Sequence, residues 1–225
     1  MTVEIRLKSE NKSYSMIHLA GLASVSECEK NPERARALNI DSSLKWYQAA
    51  TATGCKRFIY VSTSHIFAAQ KTPLTVSSPA GPRSVYAKTK YEAEESLIKN
   101  STGSSTELVI ARVFSILPKM LRPGYLLTSL HQRAKMKDFS PIPGLSNVRD
   151  FISTAEIGRQ LVELTYEPVK HQQLVLICTG QGRTIREIAE QVFREHGLDG
   201  QSLKEAPGRP DDVPYIVGTP YEFKN

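Results

Sequence analysis

Cysteine is scarce in this chain: three residues in 225, Cys28, Cys55 and Cys178, at spacings that match no zinc-binding or CxxC pattern. A disulfide framework is excluded and no metal site is expected. The odd count points to a reducing compartment, with the thiols buried as small hydrophobes. Long apolar runs are missing too. None approaches the roughly 20 residues a membrane span requires, and the opening MTVEIRLKSENKSYS is too polar for a signal peptide. The expectation is a cytoplasmic protein without membrane contact. Glycine and proline, 13 of each, are too few for collagen or low-complexity disorder. Nor is there a block of like charge. The 29 basic and 23 acidic residues leave a net +6 spread along the chain, which favours anionic ligands in general and implies no nucleic-acid partner.

What is present is the pattern of an ordinary globular protein, with 40% hydrophobic and 23% charged residues and length enough to bury a full core. From about Tyr14, short apolar runs alternate with amphipathic stretches ending in Gly or Pro, which predicts an α/β fold around a mostly parallel sheet. SMIHLAG (15–21) reads as a strand ending in a small-residue turn. One continuous helix is expected next: Asn31 caps it, Pro32 suits its first position, Ala37, Ile40, Leu44, Tyr47 and Thr51 share its inner face, and Gly54 closes it. KRFIYVSTS (56–64) and TELVIARVF (106–114) read as buried strands, separated by a helix from about Ser84 to Asn100. The segment 117–145 gives no clear pattern. Beyond it, VRDFI and QQLVLICTG are expected strands, and 154–166 and 184–196 expected helices.

Within SVYAKTK, Tyr86 and Lys90 stand four residues apart on the second helix, so both project from one face. A tyrosine that moves protons near neutral pH must overcome a free pKa of about 10, and bringing it down takes roughly 4 kcal/mol of extra phenolate stabilisation. A nearby ammonium in a partly desolvated site supplies that. A second YxxxK, Tyr166 with Lys170, is set aside because Pro168 breaks the helix that would give the spacing meaning. The strand end VSTSHIF places Ser62, Thr63 and Ser64 where open α/β sheets bind ligands, the alternative being a common hydroxyl-rich turn. His65 reads as a partly exposed loop histidine, with no carboxylate nearby in sequence to orient it. A glycine-rich turn of the GxGxxG type, which holds pyrophosphate at a helix N-terminus, is absent. Gly180 and Gly182, in ICTGQGRT, read as a plain strand-to-helix turn.

Taken in order, HLAG, NPERARALN, GCKRFIYVSTSHIF, YAKTKYEAEE, ARVFSILP, VRDFIST and GRPDDVP resemble the extended short-chain dehydrogenase/reductase family, the NAD-dependent epimerase/dehydratase type acting on nucleotide sugars. SECEKNPERARALN and STSHIF look most like its dTDP-4-dehydrorhamnose reductases. VRDFIST and GRPDDVP look more like its UDP-glucose 4-epimerases. The resemblance implies a Rossmann-like, doubly wound parallel sheet that lacks its first βαβ unit and next strand. Residues 1–116 would form a partial NAD(P)-binding domain and 117–225 mostly a smaller substrate-binding lobe, with 171–196 returning to the sheet.

By the same resemblance Tyr86 is the catalytic acid/base, Lys90 lowers its pKa and binds the nicotinamide ribose, and Thr63 holds the reacting sugar oxygen. Ala20, Gly21, Asn39 and Ser62 line the cofactor, which is NAD or NADP. Ser64, Arg149 and Arg209 reach the substrate, the two arginines at its diphosphate, where guanidinium forks fit phosphate oxygens. Ser64 and His65 replace the Asp and Glu of dehydratases, so water elimination is not expected. The implied function is 4-keto reduction or 4-epimerisation of a nucleotide-diphosphate sugar. The alternative is a truncated, non-catalytic member acting as a binding or regulatory subunit. The family usually forms homodimers through the helices that here correspond to Asn31–Thr53 and Ser84–Lys99.

Overall fold

Seventeen α-helices and β-strands follow one another in the computed structural model, which describes residues 13–118, 125–170, 172–208 and 212–223. In chain order they are β1 (Tyr14–His18), α1 (Val25–Lys30), α2 (Pro32–Arg36), α3 (Ser42–Ala52), β2 (Cys55–Thr63), α4 (Val85–Ser101), β3 (Glu107–Val113) and β4 (Ser115–Leu117). Then come α5 (Leu126–Met136), β5 (Ile142–Pro143), β6 (Val148–Ser153), α6 (Thr154–Glu163), β7 (Gln173–Ile177), β8 (Gly182–Thr184), α7 (Ile185–Glu195), β9 (Glu205–Ala206) and β10 (Tyr215–Ile216). The main sheet is parallel throughout, in the order β1-β2-β3-β7.

The strand alternation explains its two cores. In β2, Phe58 and Tyr60 point to one face, where they meet Leu108 and Ile110 of β3, Tyr47 and Ala50 of α3, and Ala93 and Leu97 of α4. Ile59 points the other way, to Val109, Ala111, Val175 and the α6 residues Ile157 and Leu161. Helices on both faces require β2 and β3 to be apolar at nearly every position, as they are. The fold class is therefore the one expected, an α/β doubly wound parallel sheet.

A second body of structure lies beyond β3. β6 pairs in parallel with β4 and β10 and antiparallel with β8. α5 and α7 pack together over Leu130, Ile142, Leu145, Ile188 and Phe193. Of residues 171–196, β7 joins the main sheet whereas α7 belongs to this second cluster, so the return to the sheet covers the strand alone. The unassigned stretch before Leu145 contains α5 and the short β5. The Gly180 and Gly182 turn also differs from expectation: Gly182 begins β8, a strand on β6, before the helix starts. Two hydrogen-bonding groups explain this. Thr184 and Glu187 form a capping box that fixes the start of α7, and the Asp150 carboxylate accepts hydrogen bonds from Thr179 N and Gly180 N at 2.8 Å each.

The helix expected from Asn31 to Gly54 is interrupted. Asn31 does cap α2, its side chain accepting from Arg34 N at 3.0 Å, and Gly54, at φ +75°, does follow the last turn of α3. Between them, residues 37–41 form one wider π-turn. The extra residue shifts the helical phase, so Ala35 and Asn39 are buried on one side of it, and Ser43, Tyr47 and Ala50 on the other. Ala37, assigned to the inner face on unbroken 3.6-residue periodicity, is exposed.

All three cysteines are buried and free, consistent with their reading as small hydrophobes. Among the described residues no helix is long and apolar enough to cross a membrane, and no group of three His, Cys, Asp or Glu side chains could hold a metal ion.

Candidate active site

Three elements bring their ends together at the carboxyl side of β1 and β2, the crevice where open α/β sheets bind ligands. α4 is fixed there by two acceptors at its N-terminus. Ser84 Oγ accepts from Ala87 N at 3.1 Å, and the Glu29 carboxylate accepts from Val85 N at 2.7 Å, where the helix dipole favours an anion. Tyr86 therefore stands in the first turn and Lys90 one turn deeper. Tyr86 is half-buried and Lys90 is buried.

Thr63 ends β2, and its hydroxyl accepts from His65 N at 3.2 Å, turning the chain into a single 3-10 turn. The Thr63 side chain lies near enough to Tyr86 to act on its pKa, from a position separate in sequence. Tyr86 is nevertheless not acidified. Desolvation pushes its pKa up to about 12, and the Thr63 side chain pulls the other way without prevailing. In this arrangement Lys90 does not offset that rise. The Lys90 ammonium is instead turned inward, donating to Val61 O at 2.7 Å and lying 4.0 Å above the centre of the Tyr60 ring. Burial brings Lys90 itself down to about 7, against the upward pull of Glu94.

Asn39 occupies the π-turn and is fully buried. Its Oδ1 accepts from Leu22 N at 2.7 Å, while Nδ2 donates to Leu22 O at 3.2 Å and to Thr89 Oγ1 at 3.0 Å. It thereby ties the loop after β1 to α4. Gly21 passes so close that a Cβ there would lie 2.8 Å from Asn39 Oδ1, at a φ of +154° that L side chains rarely adopt. Leu19, Ala20 and Gly21 are exposed on this loop. Ser62 is buried, and its hydroxyl is one of the few in the described structure with no hydrogen-bond partner. An exposed small-residue ledge beside an unsatisfied hydroxyl fits the nicotinamide end of a dinucleotide. Among the described residues no glycine-rich turn stands ready for its pyrophosphate.

A cleft of about 120 Å³ opens near the start of α4, lined by His65, Arg83, Ser84, Arg149, Asp212 and Ile216 among others. Arg149, expected at the substrate, does reach it. Arg209 lies outside the described residues, and the buried Ser64 is not among the residues lining it. His65 is exposed, as expected, but its ring stands edge-on to Tyr86 with centroids 6.1 Å apart, and a carboxylate does face it. That carboxylate is Asp212, far along the chain. Desolvation of the ring and Arg149 lower the His65 pKa, and Asp212 raises it. Arg83 and Asp212 were missed in the sequence because only the fold brings 83, 149 and 212 together. A larger groove of about 420 Å³ lies on the outer side of α4, lined by Tyr91, Glu94, Ile98, Arg112 and Gln172 among others, and reaches neither Thr63 nor Tyr86.

Known proteins share this fold. The chain is 23% identical over 242 residues to the probable UDP-arabinose 4-epimerase 3 of Arabidopsis thaliana, covering 96% of this chain and 58% of that protein. It thus spans little more than half the length of that relative. The UDP-glucose 4-epimerase of Thermotoga maritima, solved with UDP-glucose, superposes with a TM-score of 0.81 at 22% identity, covering 90% of this chain and 67% of the other. The Pseudomonas aeruginosa protein RMD, solved with NADPH, gives 0.79 at 22% identity, covering 90% and 71%. These likenesses establish a shared fold. Residues 4–173 match the NAD dependent epimerase/dehydratase family, and with three quarters of its length inside that match the chain belongs to this family.

Proposed function

We propose that this chain carries the nicotinamide-side and sugar-side residues of an NAD(P)-dependent oxidoreductase or epimerase acting on a nucleotide-diphosphate sugar, by 4-keto reduction or 4-epimerisation. The observation that carries this reading is the gathering of Thr63, Tyr86 and the buried Lys90 where β2 meets α4, with the Tyr86 ring against His65, which lines a cleft together with Arg149.

Ala20, Gly21, Asn39 and Ser62 would hold the nicotinamide end of the cofactor, which when bound supplies the hydride acceptor or donor. Thr63 positions the reacting sugar oxygen by hydrogen bonding. Tyr86 takes the proton from that oxygen during oxidation and returns it during reduction, a role worth about 10²–10⁴-fold in rate. Because Tyr86 stands high, a cation beside the phenol is required for it to work near neutral pH. Lys90 is one helical turn away, and rotation of its flexible stem from Val61 O toward the phenol would bring it there. Arg149 pairs with the substrate diphosphate, its charge being drawn to phosphate oxygens across the cleft. The residues 1–116 then serve the cofactor and 117–225 mostly the substrate.

Titration of the purified chain with NADH and NADPH, followed by turnover of UDP-glucose and of 4-keto nucleotide sugars, tests the reading. Micromolar binding of one dinucleotide with measurable turnover supports it. No binding, together with a stable hetero-complex on sizing, would replace it with the regulatory-subunit alternative.

A further inference from the structure

We propose that Glu94, clamped by Arg112, is the positioning residue that raises the proton affinity of Lys90 inside the site. The proposal rests on the assignment of Lys90 to that site and adds two residues the YxxxK pattern does not contain.

Tyr86, Lys90 and Glu94 succeed one another at four-residue intervals, so they line one face of α4 at descending depth. Lys90 and Glu94 are buried, at 6% and 2% exposure. A buried ammonium loses its proton unless something compensates its lost hydration. The groups around Lys90 come from every packed element. β2 supplies the Val61 carbonyl and the Tyr60 ring. β1 supplies His18, which burial and Lys90 itself hold down at about 4, so that it is neutral. The π-turn and α3 side supply Asn39 and Ser43, which bear no charge. Glu94 alone brings a full negative charge to bear, and it pushes Lys90 upward against desolvation.

A carboxylate at that depth needs a partner. Arg112 supplies one with a two-pronged grip. Its Nε lies 3.1 and 3.2 Å from the two carboxylate oxygens and its Nη2 lies 2.6 Å from Oε2. The guanidinium, which extends from β3, also lies 4.6 Å above the centre of the Phe67 ring, a second contact that holds it in place. Phe67, Arg112 and Glu94 thus form one linked set and Lys90 with Tyr60 another, joined by the four-residue step from Lys90 to Glu94 along α4. So ordered a chain of buried charges costs desolvation, and a catalytic lysine at its end gives it a purpose.

The test reads Lys90 directly, without turnover. Lysine labelled at ¹³Cε is titrated by NMR in the purified chain, with Lys90→Arg identifying its resonance. Glu94→Gln should lower the Lys90 midpoint, reducing its protonated-to-neutral ratio at fixed pH by about tenfold or more, the effect of removing one unit charge a helical turn away. Glu94→Asp, which keeps the charge, should hold the midpoint near the wild-type value. Should Glu94→Gln fail to fold with Arg112 left unpaired, the double variant Glu94→Gln, Arg112→Gln replaces the ion pair by a neutral amide pair and should show a smaller fall in the same direction, because the more distant Arg112 cation leaves with the carboxylate. An unchanged midpoint in either folded variant overturns the proposal, as does a fall in Glu94→Asp as large as that in Glu94→Gln. Loss of cofactor binding or of any turnover would refute the proposed function and leave this titration standing.

Discussion

The carboxamide of Asn39 grips both backbone polar atoms of Leu22, accepting from its N at 2.7 Å and donating to its O at 3.2 Å. One side chain thus mimics a strand partner for a residue that follows the end of β1, and its third bond, to Thr89, passes that order on to the helix bearing Tyr86. The loop at the proposed cofactor ledge is shaped by a residue from a separate helix.

Asn39→Ala removes all three bonds and leaves Leu22 and Thr89 facing a void. A loss of about 1–3 kcal/mol is expected in urea denaturation, together with weaker dinucleotide binding. Unchanged stability would mean that the loop is held by something else.

Tyr86→Phe keeps the ring and its packing against His65 while removing the proton. In protein shown to bind the dinucleotide, kcat should fall about 10²–10⁴-fold with little change in dinucleotide affinity. Retention of more than a few per cent of turnover would remove Tyr86 from the chemistry.

Asp150 is fully buried, and its two oxygens collect Thr179 N, the Thr179 hydroxyl and Gly180 N. Asp150→Asn is nearly the same shape but turns an amide NH₂ toward one of those N–H donors. Unfolding should become easier by about 2–3 kcal/mol. Equal stability would show that the loop tolerates a donor there.

His18 supplies the pH dependence on the acid side. Its folded pKa of about 4 lies below the ordinary 6.5, because burial and Lys90 disfavour its cation. The unfolded chain therefore binds the extra proton between these values, and stability falls as pH drops through that window, by up to about 3 kcal/mol. Above pH 6.5 the group contributes no slope. His18→Gln, which can still pair with Ser43, should flatten the pH 4–6.5 limb in denaturation series. A limb of the same steepness in the variant would assign the acid sensitivity to other groups.

Much of this was legible locally. Asn31 and Ser84 announce their helices because capping is a matter of neighbours in sequence, and Tyr86 and Lys90 share a face because the helical period is fixed. Thr63 could be placed because an apolar run with hydroxyls at its end can finish only at the sheet's edge of the crevice. Other features depend on distance along the chain. Nothing near His65 foretells Asp212, and Arg112 reads as one more residue of a strand until it meets Glu94, 18 positions earlier. The inward turn of Lys90 was equally hidden, since spacing places a side chain's root and the carbonyl of Val61 decides where its tip goes. The wide turn at 37–41 carries no compositional mark at all.

That turn makes the region sensitive to length rather than to chemistry. An α-helix advances about 100° per residue, so deleting any single position from 37 to 41 would let the backbone run at regular pitch while swinging everything upstream round the axis by that angle. Asn31, Pro32 and the α1 segment would then approach the first strand from the wrong side. Relatives that differ freely in amino-acid identity here should still agree in the number of residues.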